Sequence, residues 1–244
     1  MAQIRWDPRD PRWERWVTAS GIVFVFLAVL AYLVAPGLPQ VNDSDAEVAD
    51  WFVDNEDRVR WQVFLFGLAT IFFLWFFATL AGRLRREHGR GRLPAVIVAS
   101  AGASAALYLL GTATFGALAQ LPSDGQRALF ELGHMIFSVN EFVAVTLIAA
   151  ASIAILRSGL LPEWLAWAGG VFVVLGLLDA AGRILADSGA FGAGSVFGTL
   201  AFLVFLAWTL AASIVLWQAT PLEAPTVVQR PDEPPPPPPA APDA

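Results

Sequence analysis

The chain has 244 residues, of which 57% are hydrophobic and only 15% are charged, and its formal net charge is −6. A soluble protein carries about 25% charged residues, so this composition excludes an ordinary water-soluble domain. The chain has no cysteine, which excludes disulfides, iron–sulfur clusters and a cysteine nucleophile.

Six apolar runs occupy most of the chain, and each is long enough to cross a bilayer as a helix. About 20 residues at ~1.5 Å per residue span the ~30 Å hydrocarbon layer. The runs cover residues 16–35, 62–82, 95–119, 129–156, 164–186 and 196–217. Proline, which disrupts a helix interior, lies only at or beyond their borders, as at Pro36, Pro39, Pro94, Pro122, Pro162 and Pro221. The sequence therefore predicts an all-α polytopic membrane bundle of six transmembrane helices over residues 16–217.

Arginine is distributed unevenly between the two sides of this predicted bundle. Eleven arginines lie on one side, in the N-terminal segment 1–15, the loop 83–92, the fourth loop and the tail: Arg5, Arg9, Arg12, Arg15, Arg83, Arg85, Arg86, Arg90, Arg92, Arg157 and Arg230. The other side has four: Arg58, Arg60, Arg127 and Arg183. Since arginine-rich loops stay in the cytoplasm, we predict a multi-pass protein of the cell membrane with both termini in the cytoplasm.

The first outer loop, residues 37–61, is the longest connection and is strongly acidic. Its acidic residues are Asp43, Asp45, Glu47, Asp50, Asp54, Glu56 and Asp57. Ser44 and Glu47 have the spacing of a capping box, and an apolar stripe follows at 48, 49, 52 and 53. This pattern predicts a short amphipathic helix on the outer face. It either binds a cation or a partner, or is a solvated acidic helix covering the bundle; the absence of EF-hand spacing favours the second interpretation.

The C-terminal segment, residues 218–244, is rich in proline and includes an unbroken proline run at 234–239. Such a segment adopts polyproline II or disordered conformations and cannot build a core. We predict a disordered cytoplasmic tail. This tail and the arginine-rich loop 83–92 are the two candidate surfaces for a protein partner, and the lipid bilayer is the expected surroundings. We expect no nucleic-acid partner, and the sequence does not decide the oligomeric state.

Ionisable residues inside predicted spans are the strongest functional signals in a membrane sequence, because their burial in hydrocarbon is costly. The second, third and sixth runs have essentially none. The fourth and fifth contain the candidate ligand- or ion-binding residues: Glu131, His134, Asn140, Glu141, Asp179 and Arg183. At ~1.5 Å per residue, the candidates of the fourth span lie ~3 to ~18 Å below the outer surface, and Asp179 and Arg183 ~11 and ~5 Å below it.

These depths predict one buried polar cluster joining the fourth and fifth spans. Asp179 and Arg183 are four residues apart and can pair on one helix face. Arg183 is level with Glu131, and Glu141 and Asn140 are the deeper members of the cluster. Two interpretations stay open. The cluster either clamps two helices together, at ~1 kcal/mol or less per contact, or it binds a ligand, a proton or an ion through a carboxylate such as Glu141.

More specific chemistries lack the residues that they need. Glu131 and His134 have the spacing of a di-iron motif, but that site requires a second copy. A haem held between helices would need a second buried histidine, and His88 lies in a loop. No zinc-protease, serine-hydrolase or phosphate-loop motif is present. We therefore predict no catalytic residues, no metal and no cofactor.

Several segments resemble a group of uncharacterised six-span integral membrane proteins common in high-GC bacteria. They are the acidic loop with 51–55 (WFVDN), the aromatic second span, the arginine-rich turn 83–92, 157–165 (RSGLLPEWL) and 186–191 (ADSGAF). The resemblance covers residues 16–217. It implies the topology and the location, and it carries over no catalytic residues.

We therefore predict an integral membrane protein that is not an enzyme but a structural, sensory or accessory membrane component. The alternative is a small proton- or cation-coupled transporter or channel that uses Glu141 and Asp179. A third interpretation is a sensor whose acidic outer loop binds a ligand and whose arginine-rich turn signals inward.

Overall fold

The computed structural model describes residues 11–39, 41, 43–88, 91–120, 126–185 and 196–219. It contains seven helices: α1 (Pro11–Val34), α2 (Asp45–Asp54), α3 (Glu56–His88), α4 (Leu93–Leu118), α5 (Gln126–Ser158), α6 (Glu163–Leu185) and α7 (Val196–Gln218). All except α2 are long and apolar enough to cross a membrane. The predicted all-α bundle of six transmembrane helices is confirmed, together with the short helix in the first connection.

Helix α3 departs most from the predicted borders, because it extends beyond its apolar run at both ends. It begins directly after Asn55, and ion pairs from Arg60 to Glu56 (2.5 Å) and Asp57 (3.5 Å) support its polar first turns. Residues 11–15 of the predicted N-terminal segment belong to α1. The rest of that segment, the tail from residue 220 and the segment 186–191 lie outside the described residues.

The six long helices form a closed ring in chain order, with α7 returning to α1. Neighbouring helices run antiparallel. For example, the Gln62 side chain donates to Ala31 O (3.2 Å) where α3 begins and α1 ends, while Arg83 near the end of α3 meets Thr18 near the start of α1 (3.4 Å). The bundle therefore has an α2 end, where α2 lies across α5 and α3, and an opposite end.

The interior is rich in aromatic rings, many of them from α3. A span this apolar and aromatic is expected to face lipid, but half of the helix faces the core instead. Phe73, Phe76 and Phe77 are buried, and Phe77 stacks on Trp208 of α7 with ring centroids 6.3 Å apart. The other face, with Ile71, Leu74 and Trp75, is exposed. Composition alone cannot separate these faces, because residues that face lipid and residues in the core are both apolar.

Helix α2 is held at its start by the predicted capping box. The Ser44 hydroxyl accepts from the Glu47 amide (3.3 Å), and the Glu47 carboxylate accepts from the Ser44 amide (2.8 Å). These two bonds satisfy amide groups that have no partner inside the helix. One face of α2 is buried. Its Val48 and Phe52 side chains pack with Phe115 of α4 and other residues of the α2 end.

Arg127 of α5 fixes the segment that leads into α2. Its guanidinium donates to the carbonyl oxygens of Asp43 (2.8 Å) and Val41, and it pairs with Glu131 (2.7 Å). A planar guanidinium with five donors suits such a multiple contact. The cap over this end therefore combines apolar packing from α2 with one arginine that contacts the backbone.

The capping box makes the order of α2 dependent on pH. The hydrogen bonds from the Ser44 amide and then from its hydroxyl lower the pKa of Glu47 from its usual 4.5. A lowered folded-state pKa means that this stabilisation is complete above about pH 5 and is lost as the pH falls through the lowered value. We expect hydrogen exchange of residues 45–54, corrected for the intrinsic pH dependence, to accelerate as the pH falls below 4.5, the usual pKa of a glutamate.

In the Glu47→Gln variant this acceleration should be much smaller, because glutamine can still accept the Ser44 amide but does not titrate. The matched control is Asp50→Asn, an exposed residue of the same helix, which should keep the acid response. Equal acid responses in both variants would contradict the role given to Glu47.

Candidate functional site

The candidate site lies at the interface of α5 and α6, where polar side chains of one helix contact glycines of its neighbour. Gly169 and Gly176 lie seven residues apart on α6, so they fall on one face. A methyl group added to Gly176 would come within 2.8 Å of Glu141 Oε1, and one added to Gly169 would overlap Ser152 Oγ. Glycine at these positions lets the α5 side chains reach the backbone of α6.

Asp179 and Arg183 form the predicted ion pair on α6. Arg183 Nε donates to Asp179 Oδ2 at 2.8 Å, and Asp179 is only 1% exposed. The pair faces Gly198 in the first turn of α7, where an added methyl group would lie 2.6 Å from both Asp179 Oδ1 and Arg183 Nη2. A carboxylate near a helix N-terminus is stabilised by the helix dipole, so this pair joins α6 to α7.

Glu141 of α5 is deeper in the bundle and is paired less completely. Its Oε1 atom is fully buried and has no hydrogen-bond partner among the described residues. It lies against Gly176, and the charges of both Asp179 and Arg183 act on it. Glu141, Asp179 and Arg183 therefore share one interface. Among the described residues, Glu141 Oε1 has no hydrogen-bond partner there, whereas Asp179 and Arg183 pair with each other.

His134 lies beneath the α2 cap in an aromatic environment. Its ring contacts Phe130 (4.5 Å between centroids) and Phe115 (5.4 Å), and both ring nitrogens are buried without a hydrogen-bond partner in the described part of the chain. The positive charges of Arg183 and Arg127 both act on it. His134 is thus near the ion pair, but it packs as an aromatic ring.

Two of the six candidates lie apart from this interface. Glu131 was expected in the buried cluster at the level of Arg183, but its side chain is 54% exposed and pairs with Arg127 one turn away. Asn140 is buried, but it follows Gly133 and Phe137, which contact α4, at helical spacing. It therefore lies on the α4 face of α5, and helical position separates it from its sequence neighbour Glu141.

Sequence reasoning missed the polar contacts around Gly169. Trp208 of α7 donates its indole N–H to Leu165 O of α6 (2.8 Å), and its Nε1 lies 3.1 Å from a methyl group added to Gly169. The absence of a side chain at 169 exposes this carbonyl to the indole. The seven-residue spacing of Gly169 and Gly176 indicates one face of α6 that a neighbouring helix can approach closely. It does not predict which side chains of the neighbouring helices lie there.

The chemical options of this interface are limited. Among the residues that the structure describes, no group of three His, Cys, Asp or Glu could hold a metal ion. What the interface offers is an unbonded carboxylate oxygen beside an ion pair. That arrangement can accept a proton.

Comparisons of the chain with family models, curated proteins and solved structures find no match.

The close fit at Gly176 gives a sharp test of this interface. We expect Gly176→Ala to lower the stability of the bundle by about 1–3 kcal/mol, because the new methyl group overlaps both Glu141 and Val145. The matched control is Gly170→Ala on the same helix, where nothing lies within 4 Å; it should leave stability unchanged or raise it by up to ~1 kcal/mol. Unfolding in detergent measures both, and equal effects would contradict the contact.

Proposed function

We propose that this chain is a non-enzymatic membrane protein of the six-span bacterial group described above, and that Glu141 is its proton-binding group. The observation that carries the proposal is the buried Glu141 Oε1 atom, which has no hydrogen-bond partner among the described residues. An ionised carboxylate in an apolar interior costs several kcal/mol unless it is paired. A proton on Glu141 removes that cost, and its release would link the site to the proton gradient.

The neighbouring ion pair has a different role in this proposal. Asp179 and Arg183 neutralise each other at 2.8 Å and contact Gly198 of α7, as expected for a clamp between helices. Their charges act on Glu141 with opposite signs, so a change in this pair would alter proton binding. In this proposal the Asp179–Arg183 pair is structural, and Glu141 is the carboxylate that binds and releases a proton.

A proton is a better candidate ligand than a metal cation for geometric reasons. A hard cation needs about six to eight oxygen ligands, whereas Glu141 Oε1 lies against Gly176, which one methyl group of Val145 also contacts. Helix α6 is continuous from Glu163 to Leu185, so its carbonyl oxygens are engaged in the helix. Transporters that coordinate sodium commonly expose such carbonyls by interrupting a helix.

The Glu141→Gln variant tests this proposal, because glutamine keeps the size of the side chain but binds no proton. Difference infrared spectra of the wild type should contain a carboxylic-acid band that disappears in the variant. Reconstituted into liposomes with a pH-sensitive dye, the wild type should pass protons down a gradient. In the variant the proton flux should be at least tenfold lower, while its unfolding temperature should equal that of the wild type. A tenfold change corresponds to about 1.4 kcal/mol.

Glu163→Gln is the control for this experiment, since Glu163 is an exposed carboxylate at the opposite end, and it should keep the wild-type flux. A loss of stability in Glu141→Gln would instead make Glu141 part of the clamp. Absence of both the carboxylic-acid band and the flux in the wild type would refute proton binding.

We also propose that the α2 end faces outward and that both termini lie in the cytoplasm. The support is the arginine bias of the sequence, since Arg83, Arg85, Arg86, Arg92 and Arg157 all lie at the opposite end of the bundle. The anionic cytoplasmic leaflet attracts such residues.

The lack of native cysteines allows a direct test of this orientation. In intact bacterial cells, a membrane-impermeant maleimide should label Asp50→Cys on α2 and should label Glu163→Cys only after the membrane is permeabilised. Both wild-type side chains are exposed, so access to the two cysteines should depend only on the side of the membrane. The reverse pattern would overturn the proposed orientation.

A further inference from the structure

The opposite end of the bundle contains a second polar cluster, where α1, α3 and α7 meet. We call it the basic corner and define it by Arg15, Thr18, Arg83, Ser213 and Trp217. Ser213 Oγ donates to Thr18 O (2.6 Å), and Arg83 Nη2 donates to Thr18 Oγ1 (3.4 Å). Thr18 and Ser213 are fully buried, so they form a polar floor that holds the three helices together.

Two arginines stand around this floor. Arg15 lies one turn before Thr18 on the same face of α1, and its guanidinium carbon lies 5.1 Å from the centre of the Trp217 ring, a cation–π contact. Arg83 reaches the same threonine from α3. Two guanidinium groups that are 68 residues apart in the chain therefore each contact a residue of the same corner.

The corner is positively charged by composition. The segments 11–20 and 79–88, which include these arginines, contain five arginines against two glutamates. Guanidinium groups bind phosphate oxygens through paired hydrogen bonds. Two of them at one junction of helices therefore favour a phosphate-bearing anion as the partner.

The surroundings of the corner indicate where this phosphate comes from. Trp16 and Trp217 are 76% and 42% exposed, and tryptophan is preferred at the level of the lipid headgroups. Below them, exposed Val23 and Phe26 continue along α1 towards the middle of the bundle, and they offer an apolar surface to an acyl chain. A free phosphate ion would contact only the arginines, whereas a phospholipid would contact both the arginines and the apolar surface of α1.

We propose that the basic corner binds the headgroup phosphate of an anionic phospholipid. Arg15 and Arg83 bind the phosphate, and the acyl chain of the lipid lies along α1. This site is independent of Glu141, because it uses other helices at the other end of the bundle. The bound lipid would join α1, α3 and α7 at the junction that closes the ring.

Native mass spectrometry of the purified protein in detergent tests this site. Phosphatidylglycerol and phosphatidylcholine with the same acyl chains are added, and the affinity of each is measured. We expect the wild type to prefer phosphatidylglycerol, and Arg15→Gln and Arg83→Gln each to lower that affinity about fivefold, since each arginine near an anionic surface contributes ~1 kcal/mol. The affinity for phosphatidylcholine should not change.

The matched control is the double variant Arg92→Gln/Arg157→Gln, which removes two exposed arginines from the same end, one directly before α4 and one on α5. It should bind phosphatidylglycerol as the wild type does. If Arg83→Gln fails to fold, Arg83→Lys keeps the charge and loses the paired geometry, so an intermediate affinity is expected. Equal phosphatidylglycerol affinity in the corner and control variants, or complete displacement of the lipid by inorganic phosphate, would overturn the proposal.

Discussion

In a bundle surrounded by hydrocarbon, a polar side chain cannot turn outward to water, so its position depends on the space that neighbouring helices leave for it. Here such side chains lie against glycines of a neighbouring helix: Ser152 at Gly169, Glu141 at Gly176, and the Asp179–Arg183 pair at Gly198. Each glycine brings a carboxylate, a hydroxyl or a guanidinium close to a helix backbone. These contacts lie along α5, α6 and α7, and they determine how closely those helices approach.

The two ends of the bundle are closed by different interactions. At the α2 end, Val48 and Phe52 provide apolar packing, while Arg127 secures the segment before α2 through backbone carbonyl oxygens. At the opposite end, the basic corner joins α1, α3 and α7 through Thr18 and Ser213. The Glu141 carboxylate lies between these closures and is bound by neither. Its Oε1 atom has no hydrogen-bond partner among the described residues, so the group can change its protonation with little rearrangement, which is why we assign the functional role to it.

Several features of the candidate site could be read from residue spacing, and others could not. The Asp179–Arg183 pair follows from an i,i+4 spacing on one helix, and the structure contains it. Glu131 was expected beside Arg183 because both are polar and lie at similar depth. It pairs instead with Arg127, which lies four residues earlier on the same helix. Depth along a helix axis carries no information about rotation around it, so Asn140 and Glu141 could not be assigned to different faces.

By itself, the sequence determined the membrane class, the number of spans and the short helix α2. These properties depend on local quantities, namely the length of an apolar run, the borders set by proline and the spacing of Ser44 and Glu47. The tertiary structure alone decided which rings of α3 are buried, which glycine accepts each polar side chain and which arginines meet at the basic corner. Lipid and protein interior are equally apolar, so hydrophobicity cannot tell one helix face from the other. Only the packing of the six helices against one another distinguishes them.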